Sequence, residues 1–142
     1  MYKYFDILDK YFYEFGLKKK EKLSQLHDIY EYHNSKINLI SRKDFENFYL
    51  HHVIHSLTLC KFIENKKLNI LDLGTGGGFP GIPLSIFFEK NSFLLVDSIS
   101  KKIKVLNQIT KKLNLNNVQT LNGRVEQVND KYEIIVCRAV TS

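Results

Sequence analysis

A short apolar run, residues 68–73, carries one acid, Asp72, and leads straight into Gly74, Gly76, Gly77 and Gly78. Four glycines in five residues let a backbone turn tightly and approach a ligand with no Cβ in the way. Pro83 then suits the first turn of a helix, where its missing N–H costs nothing. The segment LDLGTGGGFPGIPL therefore reads as strand, glycine loop, helix. A ligand held there would sit beyond the carboxyl end of the strand, the usual site of an open α/β sheet.

The rest of the chain agrees with that reading. Short apolar runs recur at residues 93–96, 118–121 and 132–137, and the first of them also ends in an acid, Asp97. Helical patterns fill the gaps, one near residues 83–90 and one over 100–113. In the second, Ile103, Leu106, Thr110 and Leu113 share a face, and Lys101, Lys104, Gln108 and Lys111 oppose it. Strands alternating with helices predict a parallel sheet with helices on its faces. Residues 1–66 read as helices only. Tyr4, Leu8, Tyr11, Phe12 and Phe15 have helical spacing, with Gly16 as the stop. Leu23, Leu26, Tyr30 and His33 suggest a second helix. Asp44 is placed to cap a third, long one, with Phe45, Phe48, Tyr49, Val53, Leu57 and Phe62 on one side. The expected organisation is a helical segment at 1–66 joined to an α/β unit at 67–142 in one compact body.

Two cofactors compete for the glycine loop. Gly76-x-Gly78-x-x-Gly81 matches the dinucleotide fingerprint, and Asp97, 21 residues after Gly76, suits a ribose hydroxyl. A nicotinamide-dependent oxidoreductase is one reading. Asp72, Gly74, Gly76 and Gly78 also fill the acidic-x-Gly-x-Gly-x-Gly pattern of S-adenosylmethionine-dependent methyltransferases. Asp97 would then take both ribose hydroxyls. A carboxylate at Asp72 suits a cationic methionine moiety better than a pyrophosphate.

Composition narrows the setting. The formal charge of +6 divides evenly, with an excess of +3 in residues 1–67 and again in 68–142, so there is no basic tail. Such a surface is compatible with a polyanion such as RNA and equally with simple solubility. No apolar run approaches the roughly 18 residues of a membrane span. Asp6 and Asp9 interrupt the apolar start where an export signal needs an uncharged core. Cys60 and Cys137 make no disulfide framework, so a reduced cytoplasmic protein is expected. His51, His52 and His55 lack the partners of a metal site, and no metal is expected.

Beyond these patterns, Gly74-Thr-Gly-Gly-Gly-Phe79-Pro-Gly-Ile-Pro83 resembles the GTGxGFPGxP stretch of the bacterial ribosomal RNA small subunit methyltransferase G family. These enzymes are also called glucose-inhibited division protein B. Asn38-Leu39-Ile-Ser41 is similar to the family's NLTS, and His52-Val-Ile-His-Ser56 to its HxxDS. Asp97-Ser98 with Lys101-Lys102, Arg124-Val125-Glu126 and Cys137-Arg138-Ala139 through Ser142 resemble its DSxxKR, RxE and SRAxxS. The resemblance implies a Rossmann-like S-adenosylmethionine-dependent methyltransferase fold. It implies methylation of N7 of a guanine in the 530 loop of 16S ribosomal RNA, with the small ribosomal subunit as partner. Gly74 and Phe79 would contact the cofactor from the loop, of which Gly76 is part. Val125 and Glu126 would flank the adenine, and Arg138 would stand near the methionine part or the incoming base. Guanine N7 already has a free lone pair, so transfer needs alignment rather than a general base, and no catalytic base is assigned.

The sequence departs from the family at His55 for Asp, His51 for Arg, His33 for Trp and Cys137 for Ser. The family's sheet has seven strands, whereas about four are expected here. The shortfall is roughly 60 residues at 25–30 per strand-plus-helix unit. A truncated, non-catalytic remnant is therefore an alternative to the enzyme.

Overall fold

The computed structural model describes residues 5–12 and 16–138. Four strands, β1 (Asn69–Leu73), β2 (Ser92–Asp97), β3 (Val118–Asn122) and β4 (Ile134–Val136), form one parallel sheet in the order β3-β2-β1-β4. Ile70, Leu71 and Asp72 of β1 are all buried, as in a central strand covered on both faces. Leu73 lies opposite Val96, and Asp97 opposite Asn122, so the loops after β1, β2 and β3 emerge along one edge.

Among the described residues, five α-helical pieces surround or lead into the sheet: α1 (Phe5–Phe12), α2 (Leu17–Asn34), α3 (His55–Leu57), α4 (Gly81–Phe87) and α5 (Ser100–Lys112). In α5, Ile103, Leu106 and the following Leu113 are buried and Lys101, Lys104, Gln108 and Lys111 are exposed, as their spacing predicts, whereas Thr110 is only half-buried and Ile109, not expected on that face, is buried. In α2, Leu23, Leu26, Ile29, Tyr30 and His33 are buried on one stripe. No helix of the described residues is long and apolar enough to cross a membrane. The apolar core is continuous, from Leu8 and Leu23 of the N-terminal helices to Leu95, Leu106 and Val136 of the α/β part.

Several expectations need correction. Gly16 is the extended residue (φ −64°, ψ 156°) that starts α2, and residues 13–15, the expected end of the first helix, lie outside the described residues. Tyr11 is exposed, while Tyr4 and Phe15 lie outside the described residues. Asp44 does not cap one long helix. The segment is a 3-10 stretch (Arg42–Asn47), a wide π turn (Tyr49–Ile54), the single turn α3, and a second 3-10 stretch (Thr58–Phe62). Phe62, expected on its apolar side, is 80% exposed. The changing pitch redirects side chains away from the regular 3.6-residue stripe. α4 begins at Gly81, before Pro83, and stops at Phe87, short of Lys90.

Candidate functional site

Asp72 sits at the foot of the glycine loop and is fully buried. Its Oδ2 accepts hydrogen bonds from Thr75 Oγ1 at 2.7 Å and from the Gly81 N–H at 2.8 Å. One carboxylate oxygen thus holds both the start of the loop and the start of α4. Oδ1 is buried without a hydrogen-bond partner among the described residues. Burial pushes the Asp72 carboxyl up to about 6, against the opposing pull of those two hydrogen bonds and of the Arg138 charge. The site therefore holds a buried, poorly compensated negative charge beneath the loop.

The glycines have different tasks. Gly74, Gly76 and Gly78 have φ of 67°, 58° and 98°, a region that strongly favours glycine. A Cβ on Gly78 would stand 2.7 Å from Ile82, 2.8 Å from Leu106 and 2.8 Å from the Tyr30 hydroxyl, so this glycine lets α2, α4 and α5 meet. A Cβ on Gly76 would meet nothing within 4 Å, so this glycine keeps open space above the loop. The loop is also tied from outside. Tyr30 donates to the Gly77 carbonyl at 2.5 Å, and Gly77 packs on the Leu39 carbonyl. Asn34 in turn holds the backbone of Leu39 and Ile40 through three hydrogen bonds.

Asp97, at the end of β2, accepts the Gly76 N–H at 2.8 Å through Oδ2 and the Ile99 N–H at 2.9 Å through Oδ1. Each oxygen keeps a further lone pair for a hydroxyl donor. Its carbonyl accepts the Gly123 N–H and the Asn122 amide, which draws the loop after β3 to the same edge. That loop carries Val125, 47% exposed, and the exposed Glu126 in a short 3-10 turn (Val125–Gln127).

Arg138 follows β4 and is half-buried. Its guanidinium lies 5.4 Å from the centre of the Phe79 ring. It donates through Nη2 to His52 Nδ1 at 2.8 Å and through Nη1 to the His51 carbonyl at 3.3 Å. Behind it, His52 Nε2 stands 2.9 Å from Asp44 Oδ2, and His51 Nδ1 stands 2.5 Å from Asp44 Oδ1. Phe79 is itself buried, packed against Tyr30, Phe48 and His52. Its ring forms the floor under Arg138 rather than an exposed platform.

Of the residues singled out in the sequence, Gly76 and Asp97 are joined by a hydrogen bond, and Phe79 and Arg138 by ring contact. Gly74 begins the same loop. Val125 and Glu126 share the edge through the backbone ties at Asp97. Tyr30, Asp44 and His52 join the site unforeseen in that role. Asp44 lies in the polar stretch Arg42–Asn47 and Tyr30 in the charged helix α2, so neither stands out in the sequence, and His52 is marked only by the resemblance to HxxDS.

The model of the family described as rRNA small subunit methyltransferase G matches residues 19–142. The ribosomal RNA small subunit methyltransferase G of Porphyromonas gingivalis is 48% identical over 136 residues, covering 95% of this chain and 62% of the relative. That of Cytophaga hutchinsonii is 46% identical, with 95% and 66% covered. The chain thus spans under two thirds of the length of these relatives. Among solved structures, a protein-L-isoaspartate O-methyltransferase superposes with a TM-score of 0.60 at 16% identity, covering 95% of this chain and 46% of the other. That likeness shows the fold, a Rossmann-like methyltransferase sheet with helices on its faces. The match over residues 19–142, on a glycine loop built as described, places the chain in the rRNA small subunit methyltransferase G family.

Proposed function

We propose that the chain binds S-adenosylmethionine on the Gly74–Gly81 loop and serves methylation of a guanine N7 in 16S ribosomal RNA. The cytoplasm, where small ribosomal subunits are assembled, is the expected setting. The observation that carries the reading is the buried Asp72 carboxylate with a partnerless oxygen directly beneath an open glycine loop. A cationic ligand above the loop relieves that charge. A pyrophosphate would add like charge to it, which sets the nicotinamide reading aside.

The residues divide the work. Gly76 keeps the loop open and donates its N–H to Asp97, which leaves Asp97 oriented along the edge for hydroxyl donors. Val125 offers apolar surface on the same edge. Arg138 has no carboxylate within ion-pair distance among the described residues and spends two of its five donors on His51 and His52. The remaining donors suit a carboxylate or the O6 edge of a guanine. When bound, S-adenosylmethionine supplies a methyl group activated by the sulfonium. No side chain is assigned to proton transfer, because the N7 lone pair is already free.

The test is titration of the folded 142-residue chain with S-adenosylmethionine, S-adenosylhomocysteine and NAD, followed by transfer of labelled methyl to small subunits that lack the modification. One-site binding of the first two but not of NAD is expected. A folded chain that binds neither sulfur compound overturns the reading.

A further inference from the structure

The contact between Arg138 and the N-terminal helical segment is more than packing. Arg138 Nη2 carries only hydrogens, so the His52 Nδ1 that faces it at 2.8 Å must be the unprotonated nitrogen. The proton then lies on Nε2, which stands 2.9 Å from Asp44 Oδ2 but out of line for a hydrogen bond, so the carboxylate acts on it as a nearby charge. The guanidinium thus selects the tautomer by demanding an acceptor at Nδ1, and the nearby carboxylate favours the proton on Nε2 electrostatically. The wide turn Tyr49–Ile54 makes this possible, because it brings the adjacent His51 and His52 onto the two oxygens of one Asp44.

We propose that His52 is the positioning residue of this site: as the neutral Nε2–H tautomer, with the Asp44 carboxylate beside its protonated nitrogen, it fixes the Arg138 guanidinium over Phe79 and so sets the affinity of the loop for the anionic end of its cofactor. This rests on the cofactor reading given above. His52 touches neither cofactor nor reacting atoms; it acts through Arg138.

The arrangement is sensitive to acid. The groups that face His52 are Asp44 from the preceding 3-10 stretch, His51 from its own turn, Arg138 from the end of β4, and the uncharged rings of Phe48 and Phe79. Burial, then the Arg138 charge, hold the imidazole below its ordinary 6.5, against the pull of Asp44. Once protonated at Nδ1, His52 offers a donor to a donor and a positive charge to a positive charge, and Arg138 is released. Asp72 adds a separate fall in affinity as it protonates through pH 6, common to all His52 variants.

The test uses the full chain with S-adenosylhomocysteine as probe, titrated from pH 8 to pH 5, beside nitrogen NMR of the imidazoles. In the wild type, His52 should show Nε2–H with a midpoint below 6.5, and Arg138→Gln should raise that midpoint. His52→Asn, which keeps an acceptor at the δ position without a titrating group, should stay within about threefold of wild-type affinity at pH 8. Its curve should part from the wild type at the NMR midpoint. His52→Leu should lose about tenfold at pH 8 with circular dichroism unchanged. His55→Gln, on an exposed helix position, should follow the wild type throughout. An Nδ1–H tautomer, a His52→Asn curve that tracks the wild type at every pH, or wild-type binding by a folded His52→Leu would each overturn the proposal. Should His52→Leu not fold, the Asn variant and the tautomer decide. A folded wild type that binds nothing at any pH refutes the cofactor reading and the affinity role together. The NMR result then shows separately whether His52 holds Arg138.

Discussion

Replacing Asp72 with Asn tests the charge beneath the glycine loop directly. The Asn carbonyl can still accept from Thr75 and Gly81, so the loop and the start of α4 keep their ties. What disappears is the ionisable group. Its folded-state value lies near 6 against an ordinary 3.8, so between those two pH values the folded chain binds more protons than the unfolded one. Stability in the absence of cofactor therefore falls as pH rises through that window and is flat above it. The penalty at neutral pH is about 3 kcal/mol. At pH 4.5 it is about 1 kcal/mol, so the gap between Asp72→Asn and wild type should change by about 2 kcal/mol between pH 4.5 and 7.5. Any fixed cost of the new amide nitrogen, which faces the place where Oδ1 has no partner, is the same at both pH values and drops out. His33 and His52, whose values are lowered chiefly by burial, lose stability on acidification instead, but equally in both proteins. The assay is urea unfolding of the two cofactor-free proteins by circular dichroism across this range. A gap that stays constant to within about 0.5 kcal/mol would refute the assignment of a buried, uncompensated charge.

Gly78→Ala should destabilise the chain by about 3 kcal/mol, because φ is 98° and the new methyl overlaps Ile82, Leu106 and the Tyr30 hydroxyl. Gly76→Ala meets no atom and should lose only about 1 kcal/mol for its positive φ, yet weaken S-adenosylhomocysteine binding clearly; thermal melts with and without that compound separate the two effects. Tyr30→Phe leaves the Gly77 carbonyl without its donor and should lose about 1–2 kcal/mol in urea unfolding. Asn34→Ala removes three buried hydrogen bonds at the Leu39–Ile40 backbone and should lose about 3 kcal/mol, with a larger loss than Tyr30→Phe in the same assay.

The α/β half is legible in the sequence. A glycine loop after an apolar run has few solutions, and the alternation of β1, α4, β2, α5 and β3 follows from hydrophobic period alone. Asp97 beside Gly76 could be foreseen, because parallel neighbours must end on one edge. The segment at 42–62 could not. Its 3-10 and π turns bury Phe48, Tyr49, Val53 and Leu57 but expose Phe62, and a 3.6-residue pattern cannot report a change of pitch.

Residue types and spacing are thus enough to say that a ligand belongs at residues 74–81, because glycine freedom and strand endings are local properties of the chain. They cannot say what holds Arg138. Arg138 is 86 residues from His52, and it meets the local Asp44–His52 pair only when β4 is laid beside β1 and the N-terminal helices close over α4. Nor can they show that Asp72 is left with a partnerless oxygen, since burial and the placement of Arg138 are products of packing. Local geometry is written in neighbouring residues. Tautomers, buried charge and the direction of a guanidinium are set by groups brought together across the whole fold.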